Sequence, residues 1–403
     1  MLIGIVGKPS SGKTTFLNAA CLTNYKTASY PFTTIEPQPG TSYVRVKCVC
    51  KEFNVQDNPR NSICINGTRF VQIKLLDVAG LVPDAWKGRG LGNKFLDDLR
   101  QADALIHIVD ASGSLDADGK EVPPGTWDPI EDVKFLEREI TMWMLNIVKR
   151  DWREITTRVK TERLNFAKLM EKRLSGLSIN KFHILDAAAK ANLNVNEVWA
   201  WDEEDLYKFV DNLRRLSKPM LIVANKIDKE IAQKNYEKMK TILKDYIIVP
   251  TSALSEYVLR TLNDKGVIRY IPGDNDFEIL KKDAIDQKTL KTLELIKEKI
   301  LNKYGSTGVQ DSLDIAVFKL LKYIAVFPVE DANRLTDHEG NVLPDVFLVP
   351  EGTTARDLAY KIHTTLGDTF LYAIDVRTKS RLGEEYKLKH RDVIKIVATG
   401  GRK

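Results

Sequence analysis

Lys13 and Thr14 close the run Gly7-Lys8-Pro9-Ser10-Ser11-Gly12-Lys13-Thr14. Those residue types at that spacing suit the gripping of a polyphosphate. Glycine at each end lets the backbone turn tightly, so that successive N–H groups converge on a β-phosphate. Lys13 can reach the β- and γ-phosphates, and the Thr14 hydroxyl can ligate Mg²⁺. Lys8, Pro9, Ser10, Ser11, Gly12 and Thr15 complete the expected contact set. Asp77-Val78-Ala79-Gly80 is a second phosphate signal: Asp77 can hold the metal through a water, and the Gly80 N–H can bond the γ-phosphate. Between the two lies Tyr30-Pro31-Phe32-Thr33-Thr34-Ile35-Glu36-Pro37, where Thr33 and Thr34 offer hydroxyls to the metal.

A third group reads a base. In Asn225-Lys226-Ile227-Asp228, Asn225 can bond the purine N7 region, the Lys226 stem can pack over the ring, and the Asp228 carboxylate can accept from N1–H and the 2-amino group. Adenine has neither donor, so this carboxylate should disfavour ATP. Thr251-Ser252-Ala253 supplies backbone for guanine O6. Together these motifs specify GTP with Mg²⁺.

Strand ends must carry such residues. Leu2-Ile3-Gly4-Ile5-Val6 reads as a buried strand before the glycine loop, and Thr15 to Ala20 starts a helix whose N-terminus adds partial positive charge. Strands are expected at Thr41–Lys47, Phe70–Leu76, Ala104–Asp110, Pro219–Ala224 and Tyr246–Val249. His107 lies inside an apolar strand and reads as a packed core residue. Leu81 stands where a water-orienting glutamine sits in Ras-like enzymes, and the glycine-rich Lys87–Asn93 reads as a switch leading into a helix near Phe95–Gln101. The expected fold is an α/β P-loop NTPase with a mainly parallel sheet.

More than a hundred residues separate the fourth and fifth segments of that sheet, so something is inserted. From Ile130 to about Leu174 the pattern is helical, with Trp152, Ile155, Val159, Phe166 and Leu169 recurring at steps of three and four; a second helical piece spans about Asn194–Leu216. Lys149–Arg173 holds nine Lys/Arg against four Asp/Glu, which suits an RNA-binding arm and equally a solvated helical hairpin. Helices are also expected at Glu256–Leu262 and Asp283–Tyr304. The C-terminal part reads as a small α+β domain, with strands Tyr323–Val329, Asp345–Val349, Phe370–Val376 and Val393–Ala398, and one helix, Ala355–His363, capped by Thr353 or Thr354. Arg377–Lys403 carries nine basic residues against three acidic ones, fitting a polyanion or a solubilising tail. The domain division is therefore 1–129 with 202–322, the insertion 130–201, and 323–403.

A chain of 403 residues calls for two or three domains, and 43% hydrophobic with 29% charged residues describes a globular protein. No run of about 18 apolar residues suggests a membrane span, and Met1 leads straight into the first strand, so a cytoplasmic protein is expected. Cys48, Cys50 and Cys64 cluster in sequence, but their spacing is loose for zinc and no histidine stands nearby to complete a set of four. A disulfide would suit only a hyperthermophile. Buried, idle thiols are the favoured reading.

The glycine loop, the Tyr-Pro-Phe-Thr-Thr-Ile-Glu-Pro run, Asp77-Val-Ala-Gly80-Leu81, Gly88-Arg-Gly-Leu-Gly92 with Phe95-Leu96, and Asn225-Lys-Ile-Asp228 resemble the Obg-related GTPases. Similarity is greatest to the YchF/Ola1-like branch in its archaeal, Ygr210-like form. The layout matches as well: a GTPase domain, an inserted helical hairpin and a C-terminal domain resembling TGS, a β-grasp module. This resemblance implies a GTPase acting with the ribosome or RNA through the insertion and the TGS-like domain. It implies catalytic roles for Lys13, Thr34 and Gly80, and Thr14, Thr34 and Asp77 around the metal. Thr34 aligns with the family's switch threonine, and Leu81 places the chain among relatives lacking the catalytic glutamine. Typical YchF and Ola1 proteins have a degraded base motif and favour ATP, whereas this chain keeps Asn225 and Asp228, so GTP is expected. Some glutamine-lacking relatives hold K⁺ with an asparagine where this chain has Ser10, so potassium dependence is not expected. A monomer is expected. The alternatives are a nucleotide-gated protein-interaction module and an ATPase of the Ola1 type; a metabolic P-loop kinase would need an acceptor pocket for which no motif is found.

Overall fold

The computed structural model describes residues 1–21, 39–78 and 98–399. By internal contacts the chain divides into two units, residues 1–41 with 74–312 and residues 42–73 with 313–403.

In the first unit the apolar segments form a parallel sheet. Its strands are β1 (Leu2–Val6), the C-terminal part of β4 (Thr68–Asp77), β5 (Ala104–Asp110), β6 (Met220–Asn225) and β7 (Ile248–Thr251), in the order β4-β1-β5-β6-β7. Ile3 pairs with Leu75 on one side and Ala104 on the other, Asp110 lies opposite Asn225, and Asn225 opposite Thr251. Every residue of β5 and β6 is buried, as near-continuous apolar runs in a covered parallel sheet should be. Because neighbouring strands run the same way, Val6, Asp77, Asp110, Asn225 and Thr251 all end at one edge. His107 is a core residue as expected, held neutral with its pKa near 3 by burial and then by the charges of Lys13 and Lys8.

The inserted residues form several helices rather than two long ones. The first, Pro129–Arg150, is started by Asp128, whose side chain accepts from Ile130 N, and by proline at the first turn. Asp151 ends it, and Trp152–Glu162 follows until Arg163 adopts a left-handed conformation. Phe166–Leu174, Lys181–Lys190 and Glu203–Ser217 complete the set. Periodicity alone did not show the two breaks, nor the helix Lys181–Lys190. Trp152, Phe166, Trp201 and Phe209 stack together, with Trp201 and Phe209 centroids 5.2 Å apart and Phe166 and Trp201 5.5 Å apart. These helices share one continuous apolar core with the sheet, from Leu105 and Val109 through Ile130 and Trp143 to Phe166 and Phe209. The helix Ala253–Asp264 follows β7, and Gln287–Ile296 packs with it through Leu259, Leu293 and Ile296.

The second unit includes residues 42–73, which sequence assigns to the nucleotide domain. The reason is a set of bonds within this unit. Arg69 donates to the Leu343 carbonyl, Asn61 exchanges bonds with the Val346 backbone, and Glu52 takes both Arg377 and Arg391. Here β2 (Pro39–Lys47) neighbours β4, and β3 (Ser62–Ile65) pairs antiparallel with it across an Asn66-Gly67 turn. Both turn residues have positive φ, as a two-residue hairpin demands. The C-terminal sheet has the order β11-β10-β14-β12-β13, from Phe347–Pro350, Tyr323–Val329, Val393–Ala398, Phe370–Asp375 and Arg381–Leu382. Ala355–Ile362 packs its Ala355 and Leu358 against Val326, Val349 and Ile394, and its cap is Thr354, which accepts from Asp357 N. The expected strands and helix of this part are present.

Phe209→Ala should cost about 3–5 kcal/mol. Trp201 packs on this ring and Trp152 on Trp201, so their fluorescence during denaturant unfolding reads the loss; a cost under about 1 kcal/mol would mean that the aromatic stack is not part of the core.

Candidate nucleotide-binding site

Beyond β1 the chain turns through Gly7 (φ 149°), Ser10 (φ 62°) and Gly12 (φ 101°) into the helix Lys13–Cys21. A Cβ on Gly7 would lie 2.4 Å from the Ile108 carbonyl oxygen, and one on Gly12 2.2 Å from the Asn225 amide nitrogen. Only glycine fits at either place. Lys13 folds back over the loop, donating to the carbonyls of Gly7 and Lys8, each at 2.9 Å. Burial pulls its ammonium down to about 8, against the pull of Asp77. Burial likewise pushes the Asp77 carboxylate up to about 6, opposed by Lys13. Among the described residues the buried Ser11 hydroxyl has no partner. A glycine-lined cradle, an orphaned hydroxyl and a displaced lysine–aspartate pair fit a charged ligand. Thr14, on the first turn of the helix, and Asp77 are oxygen donors suited to Mg²⁺.

Lys8 behaves differently from its neighbours. Its ammonium donates to the carbonyls of Leu115 and Asp116 and to Asp132 Oδ1 at 2.8 Å, and it lies over the Trp127 ring. The side chain is therefore spent on the start of the insertion, and only the Lys8 backbone remains for a phosphate. Burial raises Asp132 to about 6, with Lys8 pulling it back.

Asn225 braces the site. Its Nδ2 donates to the Ser11 carbonyl at 3.0 Å, and its Oδ1 accepts from Ala253 N at 3.2 Å. A primary amide has two N–H groups, so one remains for a base nitrogen. Lys226 has a left-handed backbone (φ 64°), and its ammonium pairs with Asp110 at 3.0 Å. Although burial favours the neutral acid, Ser112, Ser114 and Lys226 hold the Asp110 carboxyl below its ordinary range. Sequence reasoning missed Asp110 and the two serines; the one available signal was an acid at the end of a strand that is apolar apart from His107. Ser252 donates to Asp228 Oδ1 at 3.0 Å. These two residues open onto a cleft of about 320 Å³ walled by Leu254, Val258, Leu295 and Ile296. Thr251 is buried, its hydroxyl bonded to the Val249 carbonyl, and Ala253 begins the next helix. Pro9, Ser10 and Thr15 lie in the loop and first helical turn as expected. Thr33, Thr34, Gly80, Leu81 and the Gly88–Asn93 loop lie outside the described residues.

With Lys13 near 8 in the free protein, an anionic ligand raises its pKa. Affinity for a nucleotide triphosphate should then hold below pH 8 and fall above it, by up to about tenfold per pH unit. Calorimetry between pH 7 and 9 in buffers of different ionisation heat reads the proton uptake; no uptake would place Lys13 away from the phosphates.

Residues 2–124 match the family model for a 50S ribosome-binding GTPase, residues 223–331 the model for the G4 motif-containing domain of the YGR210-like Obg-like GTPases, and residues 339–398 the TGS domain. A protein of Methanocaldococcus jannaschii described as GTP-binding is 48% identical over 397 residues, covering 98% of this chain and 99% of its own. A crystal structure of a GTP-binding protein from Pyrococcus horikoshii superposes with a TM-score of 0.78 at 38% identity, covering 99% of this chain and 100% of that one. The ribosome-binding ATPase YchF of Bacillus subtilis is 30% identical over 245 residues, covering 60% of this chain and 61% of its own. The chain belongs to the Obg-like, YchF-related family of GTP-binding proteins, in its YGR210-like branch with a C-terminal TGS domain.

Proposed function

We propose that this protein is a GTP-hydrolysing switch that acts with the ribosome or its RNA. The observation that carries the nucleotide choice is Asp228, a carboxylate that takes one hydrogen bond from Ser252 and faces an apolar-walled cleft. Guanine brings two donors to such a group and adenine none, so a site built on it discriminates. Lys13 exchanges the Gly7 and Lys8 carbonyls for phosphate oxygens, and the partnerless Ser11 hydroxyl gains a partner. Thr14, Asp77 and, on the sequence expectation, Thr34 would hold Mg²⁺, which would neutralise charge on the bound phosphates. Lys226 holds Asp110, and Asn225 keeps the glycine loop in register with Ala253, so that phosphate and base contacts are made together.

The ribosome assignment draws on the relatives described as ribosome-binding and on exposed charge. Arg150, Arg153, Arg163, Lys168 and Lys172 of the insertion are exposed. Lys149 is paired with Glu203, and Arg173 with Asp151. In the C-terminal unit much of the basic surplus is spent internally, Arg377 and Arg391 on Glu52 and Lys379 on Ala332 and Asn333. The insertion is therefore the stronger candidate for RNA. The second reading, an ATPase, is favoured by the name of the Bacillus subtilis relative; Asp228 opposes it.

Asp228→Ala should weaken GTP binding by roughly 10- to 150-fold while leaving ATP nearly unchanged. Calorimetry with both nucleotides measures this, and equal or tighter ATP binding by the unaltered protein would favour the ATPase. Sedimentation with ribosomes should require a non-hydrolysable GTP analogue. A triple change of Arg153, Lys168 and Lys172 to glutamate should lower the salt slope of that binding by roughly three; pelleting indifferent to nucleotide and to the three charges would overturn the partner assignment.

A further inference from the structure

We propose that Cys48, Cys50, Cys64 and Asp57 form a zinc site in the second unit, the carboxylate supplying the fourth ligand. Counting cysteines leaves the set one short, because Asp57 is no part of any cysteine or histidine pattern. The fold brings it in. Cys48 caps the short helical turn Val49–Lys51, and Cys50 lies within it. Cys64 comes from β3, directly opposite Arg69 on β4. Asp57 lies in the intervening loop, and one donor atom from each of the four residues falls within 4.8 Å of all the others.

The spacing suits tetrahedral zinc. Bonds of about 2.0–2.3 Å at tetrahedral angles put sulfur and oxygen donors roughly 3.4–3.8 Å apart. Cys50 Sγ and Cys64 Sγ are 3.9 Å apart, and Cys48 Sγ and Asp57 Oδ2 3.1 Å. Small side-chain rotations close the remaining gaps. The surroundings also suit a thiolate cluster. Cys50 N donates to Cys48 Sγ at 3.5 Å, and the Cys48 N–H is fixed by the Gly67 carbonyl, so the turn is anchored to the β3–β4 hairpin. Arg69 is wholly buried, and its Nη2 donates to Asp57 Oδ2 at 2.7 Å and to Cys48 Sγ at 3.5 Å. Three thiolates and a carboxylate around a dication carry a net charge of minus two, so an adjacent guanidinium offsets part of it and orients the ligands from behind.

Binding exchanges up to three thiol protons for one Zn²⁺, the protons leaving to solvent, and needs no redox partner. Soft sulfur donors with one carboxylate select zinc over magnesium or calcium. Simple compensation of the buried Arg69 accounts for Asp57 but not for the convergence of three thiols. A Cys50–Cys64 disulfide leaves the convergence of Cys48 on the same point without a role.

Full-length protein, reconstituted with equimolar Zn²⁺ under reducing conditions and desalted, should retain about one zinc per chain by plasma mass spectrometry. Cobalt(II) in its place should show the sulfur-to-metal charge-transfer bands of a tetrahedral thiolate site. Cys64→Ser, at a half-exposed position, should cut zinc affinity by more than tenfold, as should Asp57→Asn. Cys21→Ser, in the helix after the glycine loop, should leave it unchanged. The proposal is overturned if the unaltered protein retains less than about a tenth of an equivalent, if it retains iron in place of zinc, or if it is lighter by two hydrogens through a Cys50–Cys64 disulfide.

Discussion

One side-chain amide, that of Asn225, holds the working end of the first unit together. It joins the Ser11 carbonyl, before the first helix, to the Ala253 N–H, after the last strand. Both bonds are buried, and a buried polar group left without its partner costs about 1–3 kcal/mol. Losing this amide orphans groups on two loops at once. It also dictates sequence elsewhere, since Gly12 must lack a side chain because the amide occupies the space a Cβ would need. The parallel order of β1, β5, β6 and β7 follows from the apolar runs, but the relative setting of the loops beyond them follows from this one residue.

Around that joint the charged groups fall into two kinds. Asp110 is saturated by Ser112, Ser114 and Lys226 and stays ionised. Lys13 and Asp77 are displaced toward their neutral forms, because burial outweighs what each gains from the other. The saturated carboxylate is architecture, while the displaced pair stands where a phosphate and its metal would restore full charge. Lys8, one residue beyond Gly7, belongs with the architecture despite its place in the motif, since four acceptors or rings already enclose its ammonium.

Much of this was legible in the residues themselves. Strands with uninterrupted apolar character, the glycine loop and the C-terminal strands could be read because each depends on local pattern. What could not be read depends on contacts far apart in sequence. The direction of the Lys8 side chain is decided by Asp132, 124 positions away. The breaks at Asp151 and Arg163 interrupt an apolar periodicity that continues across them. Residues 42–73 pack with the C-terminal part through Arg69, Asn61 and Glu52, polar residues whose partners lie more than 270 positions away. Asp57 comes to the three cysteines only through the folding of the loop that carries it, and nothing in the local sequence marks that approach.

The helix Pro129–Arg150 is rooted on the phosphate loop through the buried Lys8–Asp132 pair in its first turn. At 1.5 Å per residue its 22 residues span about 33 Å. A tilt of about 5° at that root would carry its far end through roughly 3 Å by simple leverage over that length. The geometry makes a lever whose fulcrum touches the glycine loop and whose tip leads into the basic helices.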